Sequence, residues 1–211
     1  MNVAMMTEKQ WYHALLEDQV TMESLPDLPK SLIPCRVERK APTIDWELCW
    51  RLARMKGLNP KLTSFSFKLL HDILPTRERL HRVNPTSNPI CLVRGCEGFS
   101  IEDVEHSISC SGNKGVGKAL LETMKSIMPS VSMEQMVRLE VTTDSMSEFP
   151  VIWMIVSTMK EIWTQRRKSG TIRPLLIRAQ LESEVNLLRS SKFLPYTPCM
   201  DNFIVELFNL I

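Results

Sequence analysis

No stretch of eighteen consecutive apolar residues occurs in this chain, so the sequence offers no transmembrane helix. Its first residues also lack the charged, apolar and small segments of a secretory signal peptide. An intracellular protein, of nucleus or cytoplasm and without a membrane partner, is therefore expected. Glycine is scarce, seven residues against thirteen prolines, which argues against a turn-rich β-sandwich and for helices separated by proline-marked breaks. Strand patterning is scarce too, and "IVELF" near the end is too short to decide. The paired aspartates of a polymerase palm and the acidic cluster of a nuclease are missing, and nothing sets a nucleophile beside a base. No enzymatic activity is expected.

What the chain does have is enough apolar material for one good core or two small ones. Apolar residues make up 44% of the 211 and charged residues 24%, too apolar for disorder. The net charge is only +2, but it is unevenly spread. Between Arg51 and Pro85 eight basic residues (Arg51, Arg54, Lys56, Lys61, Lys68, Arg77, Arg79 and Arg82) face two acids, Asp72 and Glu78. Between Lys160 and Arg178 six basic residues face Glu161 alone. Such clustering is the footprint of a surface that meets phosphates, or else of solvated helix faces.

The periodicity reads as mainly α. Residues 1–45 hold the short apolar stretch "WYHALL" and then Pro26, Pro29, Pro34 and Pro42, a helix followed by an extended arm. Asp45 is placed to cap a helix whose apolar face carries Trp46, Cys49 or Trp50, and Ala53, with Gly57 at its stop. Leu62, Phe65, Leu69 and Ile73 predict a broad-striped helix over Lys61–Leu74, ended by Pro75. Thr76 then caps "RERLHRV". Beyond a cysteine-rich loop, "SGNKGVGKALLETMKSIM" reads as a glycine-bearing turn and a helix. A longer helix near Pro150 shows Ile152, Ile155, Val156, Met159, Ile162 and Trp163 on one face, with "QRRKSG" at its negative end. A last amphipathic helix aligns Ile177, Leu181, Val185 and Leu188, with Glu182, Glu184 and Arg189 off that seam. Three regions follow: an N-terminal helix and Pro-rich arm (1–45), a helical region with a knuckle (46–112) and a C-terminal helical region (113–211).

The knuckle is "CLVRGCEGFSIEDVEHSISC". Four residues separate Cys91 from Cys96, nine separate Cys96 from His106, and three separate His106 from Cys110. Two close pairs joined by a longer loop can supply the four corners of a zinc tetrahedron, and with all four consumed no open position is left for water. The expected cofactor is thus structural zinc on Cys91, Cys96, His106 and Cys110, which in a reducing compartment outweighs disulfide pairing. His81 is a reserve ligand. Cys35, Cys49 and Cys199 have no such company and read as buried free thiols. Four of the five tryptophans, Trp46, Trp50, Trp153 and Trp163, stand at helical spacing and read as core. His71 and His81, in a basic apolar region, read as packing or phosphate-contacting residues.

The run "DWELCWRLARMKGLNPKLTSFSFKLLHDILPTRERLHRV" followed by this knuckle resembles the zinc-binding region C-terminal to the polymerase in non-LTR (LINE-type) retrotransposon reverse transcriptases. The shared features are a Trp-led helix, Phe-x-x-x-Leu-Leu-His leading to Leu-Pro-Thr, and the Cys-Cys-His-Cys set. "PCRVERKAPTIDW" upstream and "IRAQLESEVNLLRSS" downstream are similar as well, so the likeness runs from about Trp11 to Ser191. The first ligand gap is wider here, and the last narrower, than is usual in that family. The resemblance implies a non-catalytic nucleic-acid-binding module with RNA or DNA as partner. Arg51, Arg54, Lys56, Lys61, Lys68, Arg77, Arg79 and Arg82 would face phosphates, and zinc would pin the Cys91–Cys110 loop against the Leu62–Leu74 helix. Two other readings are a helical module that pairs with a protein or itself through the Pro174–Arg189 helix, and a non-functional relic of a degraded element.

One further motif is a near match. "GNKGVGKA", Gly112 to Ala119, approaches the phosphate-binding loop, but Ala119 cannot ligate magnesium and "HSISC" is a poor central strand. A loop entering a helix is the expected reading, with Lys118 dispensable.

Overall fold

The computed structural model describes residues 45–96, 100–141, 148–190 and 196–211. Residues 1–44 fall outside these, and with them the "WYHALL" helix, the proline-rich arm and Cys35. The fold is mainly helical. In chain order the helices are α1 (Trp46–Ala53), α2 (Pro60–Leu70), α3 (Arg77–Val83), α4 (Val104–Ser109), α5 (Val116–Ile127), α6 (Met133–Val137), α7 (Glu148–Ser169), α8 (Pro174–Ser190) and α9 (Cys199–Asn209). A 3₁₀ turn, Ser111–Asn113, joins α4 to α5. Among the described residues the β content is one antiparallel bridge, Ile90 with Ile101. No described helix is long and apolar enough to cross a membrane.

Local chemistry sets most boundaries. The Asp45 carboxylate accepts from the Leu48 amide at 2.9 Å and opens α1. Asn59 does the same for α2 through Leu62, with Pro60 in the first turn, where its missing N–H costs nothing. Thr76 opens α3 by accepting from the Arg79 amide at 3.3 Å. α1 stops at Ala53, and Gly57, with φ +107°, follows in the turn before α2.

α2 ends four residues earlier than its apolar stripe predicts. Asp72 takes a left-handed backbone (φ +53°), the Ile73 amide donates to Lys68 carbonyl and the Asp72 amide to Leu69 carbonyl, each at 3.0 Å. This is a Schellman closure without glycine. Leu74 therefore reaches the core from a turn while Ile73 stays half-buried, and Pro75 comes after the helix has closed. The segment "IVELF" lies inside α9, which buries Met200, Phe203, Ile204 and Leu207.

α7 is the axis of the molecule, packing against α1, α2, α4, α5, α8 and α9. The one-faced stripe expected there is wider in fact: every residue from Val151 to Met159 is buried, including Ser157 and Thr158, as befits a helix enclosed on all sides. The α8 seam of Ile177, Leu181, Val185 and Leu188 is buried against this core. Glu184, expected off the seam, is buried too; it accepts from Ser157 Oγ at 3.2 Å and faces Lys160, which also pairs with Glu161. A buried carboxylate of this kind is tolerable because it is paired. One apolar cluster runs from Cys49 to Leu207 and draws residues from both sides of the 112/113 division.

The phosphate-loop look-alike has a packing explanation. What precedes it is α4, not a strand, and a Cβ on Gly117 would overlap the Ile108 carbonyl. The glycine lets α5 approach the end of α4, while Lys118 is exposed. Gly117→Ala should therefore destabilise the fold by about 1–3 kcal/mol, whereas Lys118→Ala should stay within about 0.5 kcal/mol of the parent. Urea titration of the two variants checks this. Equal stability for both would remove the close-approach argument.

Candidate metal centre

The four knuckle residues arrive from two short pieces of chain. In the first, the Cys91 amide donates to Ser100 carbonyl and the Glu102 amide to Pro89 carbonyl, both at 2.9 Å, around the Ile90–Ile101 bridge. A tight turn follows, with Gly95 at φ +86° and the Cys96 amide donating to Val93 carbonyl at 3.0 Å. In the second piece, Asp103 caps α4 by accepting from the His106 amide at 2.7 Å. The Cys110 amide then closes on His106 carbonyl at 2.8 Å as the helix ends. Cys110 itself leaves the helical backbone (ψ +133°), so the pair is set by a helix end, not by two positions inside one helix.

The donor atoms converge. Cys91 Sγ, Cys96 Sγ, Cys110 Sγ and a ring nitrogen of His106 all lie within 4.8 Å of one another. Cys91 and Cys110 stand 3.8 Å apart, sulfur to sulfur, and Cys96 Sγ is 3.5 Å from His106 Nε2. For Zn–S near 2.3 Å and Zn–N near 2.05 Å, a regular tetrahedron has S–S edges of about 3.8 Å and S–N edges of about 3.5 Å. Both measured edges fit. The Cys91–Cys110 separation is too long for a disulfide, whose sulfurs bond at about 2.05 Å, and the cysteines are free. The arrangement is compatible with a bound metal ion.

The set is asymmetric. Cys91 and Cys110 are buried, while Cys96 and His106 are half-buried. Burial pushes the Cys91 thiol up to about 11, against the lowering pull of a Val93 backbone hydrogen bond and of Arg166. Burial, then the Arg166 cation, hold His106 below its usual range against Asp103 and Glu102. The imidazole is therefore neutral, the form that ligates, and the Cys91 thiol keeps its proton until a cation replaces it.

A third piece of chain meets the cluster from α7. Arg166, with its side chain 4% exposed, donates to Cys91 Sγ at 3.3 Å and to Asn113 Oδ1 at 2.8 Å, and pairs with Glu102 at 3.0 Å. Asn113 in turn donates to the Ser107 and Ile108 carbonyls, satisfying the end of α4. One anchor of the cluster is thus α7, and on the side of the expected Leu62–Leu74 clamp Leu69 and Leu70 line a cleft with Asp103, Val104 and Glu105 of the Cys91–Cys110 loop. Neither Arg166 nor Asn113 was singled out from the sequence. The signal for Arg166 was present: it continues the buried row of Ile162 and Trp163 by steps of four and three.

The other expected site residues divide. His81 is no reserve ligand, since its Nδ1 meets Ser87 carbonyl at 2.7 Å, away from the cluster. His71 packs between rings, 4.0 Å from Phe67 and 4.8 Å from Trp50, centroid to centroid. Trp153 and Trp163 are core, and Trp50 packs on it half-buried. Cys49 is fully buried, its thiol pushed up to about 12 mainly by that burial, and Cys199 meets the Thr197 hydroxyl.

Of the eight residues expected to face phosphate, Arg79 is a correction: it is buried and donates to Asp72 carbonyl at 2.7 Å, bracing the turn after α2. Arg51 is held by Glu148 and Arg82 by Glu78. Arg54 reaches Trp50 carbonyl at 3.2 Å, Lys56 and Lys61 are exposed, and Lys68 is half-buried. Arg77 donates to Asn88 carbonyl at 3.3 Å. It also lines a cleft with Leu92, Trp163, Arg166 and Arg167, so the two basic runs of the sequence meet there.

Purified protein should carry one divalent ion per chain by elemental analysis, and Cys96→Ala should abolish it. Cys96 is the more exposed sulfur of the set, so this change disturbs the core least. Metal affinity should fall about tenfold for each pH unit of acidification from the Cys91 proton alone, since a cation must displace it. A chelator competition at two pH values reads this slope, and a flat profile would show that Cys91 is not a ligand. No protein-family model matches the chain, and neither a curated protein nor a solved structure does.

Proposed function

We propose that the chain is a non-catalytic nucleic-acid-binding module in which structural zinc holds the Cys91–Cys110 loop, related to the C-terminal part of a LINE-type reverse transcriptase. Zinc is the metal because three thiolates and one imidazole in a closed tetrahedron suit a borderline-soft ion with no geometric demand of its own. The observation that carries the nucleic-acid reading is the shared cleft, where Arg77 from the first basic run meets Arg167 from the second. Arg167 and the adjacent Lys168 are exposed. Two separate positive stretches brought to one place make a phosphate-facing surface a better account than scattered solvated charge. Contacts of that type position a strand and carry little base sequence, and the cleft's apolar wall of Leu80 and Leu92 leaves room for sugar or base.

The eight-residue surface narrows accordingly. Arg77, Lys56, Lys61 and Arg54 remain from the first run, with Arg167 and Lys168 from the second, while Arg79 acts inside the fold. A protein partner is the weaker alternative, because the α8 seam that would pair with another helix is already buried in this chain's own core.

Fluorescence anisotropy with labelled RNA and DNA over rising salt tests the proposal. Wild-type protein should bind with a steep salt dependence. Arg77→Ala and Arg167→Ala should each weaken binding several-fold across sequences and reduce the log–log salt slope by about 1. Arg79→Ala should lower thermal stability instead and leave the slope of the folded fraction unchanged. Absence of binding at low salt would overturn the nucleic-acid reading.

A further inference from the structure

Arg166 asks for an explanation that its place in the fold does not supply. It sits near the end of α7, among buried apolar residues, with a guanidinium almost closed to water. Burying a cation there is costly unless it is paired, and Glu102 already provides one carboxylate at 3.0 Å. Asn113 gives a second, neutral partner. These two contacts would suffice for a structural arginine. The third contact is the unusual one: Nη2 donates to Cys91 Sγ at 3.3 Å. A neutral thiol is a weak acceptor, and a buried guanidinium gains little from it. A thiolate is a strong, charge-assisted acceptor.

The charge count leads the same way. A divalent ion with three thiolates and one neutral imidazole carries a net charge of −1. Cys91 and Cys110 hold half of that ligand set inside the protein, where water does not screen it. Cys96 and His106 are half-buried and closer to solvent. The buried half is thus the half that needs a counter-ion, and Arg166 is the cation on that side. The acids around the cluster, Glu102 and Asp103, only add to the negative charge. Lysine would serve less well, because the planar fork of arginine lets one group serve sulfur, amide oxygen and carboxylate together.

We propose that Arg166 is a positioning residue of the metal centre: its guanidinium orients and neutralises the Cys91 thiolate, and so sets metal affinity and ties metal occupancy to the packing of α7. This rests on the reading of the four residues as a metal centre, and it adds a determinant outside the ligand set. Because α7 packs against the other large helices, Arg166 gives the ion a route to the core beside the one through α4, which packs on α7 as well. The same residue lines the cleft with Arg77 and Arg167, so metal loading and the form of that cleft share a common element.

The test compares wild type, Arg166→Met and Arg166→Lys, each in metal-free and loaded form. Zinc affinity is read by competition with a chromophoric chelator, ligand geometry by the absorption of the cobalt-loaded protein, and stability by thermal melting. Arg166→Met should bind zinc about 10–100-fold more weakly, the usual cost of losing an outer-shell partner. Its cobalt spectrum should shift in the sulfur-to-metal region, and loading should raise its melting temperature by less than in wild type. Arg166→Lys should recover part of the lost affinity. An arginine that is only structural would lower the melting temperature equally with and without metal and leave affinity and spectrum unchanged; that outcome overturns the proposal while leaving the metal centre intact. If wild type shows no sulfur-to-cobalt absorption, the metal reading itself falls and this inference with it. Should Arg166→Met fail to fold, wild type carries the test: cadmium loading should shift the Arg166 side-chain N–H resonances and slow their exchange, and unmoved resonances overturn the proposal.

Discussion

The convergence of three sulfurs and one imidazole within 4.8 Å is the constraint on which the middle of this molecule depends. Between α3 and α4 the chain runs about twenty residues with a single β-bridge among the described positions. Its own apolar cluster is small, Cys91, Val93 and Cys110 with Cys96 against them, and Leu92 and Ile101 are exposed. Hydrophobic burial on that scale does not hold a loop in one conformation. Backbone pairing at Cys91 and Glu102 and the turn at Gly95 shape the loop, and the four donors close it. α4 itself is held separately, by Val104 and Ile108 in the main core and by packing on α5, α6 and α7.

How far the sequence foretold this depends on which physical signal each feature used. Caps were legible because they are local: Asp45 and Thr76 announce α1 and α3 through one carboxylate and one hydroxyl. The stripe of α7 and the seam of α8 were legible because burial repeats at helical spacing. The end of α2 was not, since the closing residue is Asp72 in a conformation that glycine usually takes, and Pro75 offered a more conspicuous stop. Glu184 was misplaced because its charge spoke for solvent, while Ser157 and Lys160, contributed by another helix, gave it partners inside. No pattern within α8 carries that information.

The candidate site was legible in its ligands and not in its supports. Cysteine and histidine spacing singles out four residues, because few other roles need those types so close together. Arg166 was counted with Arg167 and Lys168 as one basic run, although the three leave the helix in different directions. Register, not composition, separates them: Arg166 extends the row of Ile162 and Trp163, whereas Arg167 and Lys168 stay exposed. Arg79 shows the same error in the first run, a cation assigned to the surface by its charge and placed in the interior by its step along α3.

Charge of one sign therefore does two kinds of work in this protein. Arg79 and Arg166 are spent inside, one on the carbonyl at the turn after α2 and one on the ligand cluster. Arg51 and Arg82 are neutralised by glutamates on the surface. On the proposed reading, what is left for an external anion is smaller than the sequence count: Arg77 and Arg167 share the cleft that α3, the knuckle and α7 form together, while Arg54, Lys56 and Lys61 stand outside its lining. Each of those three walls is tied to the candidate centre or to the segment that carries it: Arg77 opens α3, whose Glu78 amide donates to Glu102 carbonyl at 3.1 Å, Leu92 and Val93 lie between Cys91 and Cys96 in the chain, and Arg166, which meets Cys91, precedes Arg167. On the proposed reading, such a surface would take its shape from the four clustered donors although no phosphate touches them, which is how a structural metal would matter for binding.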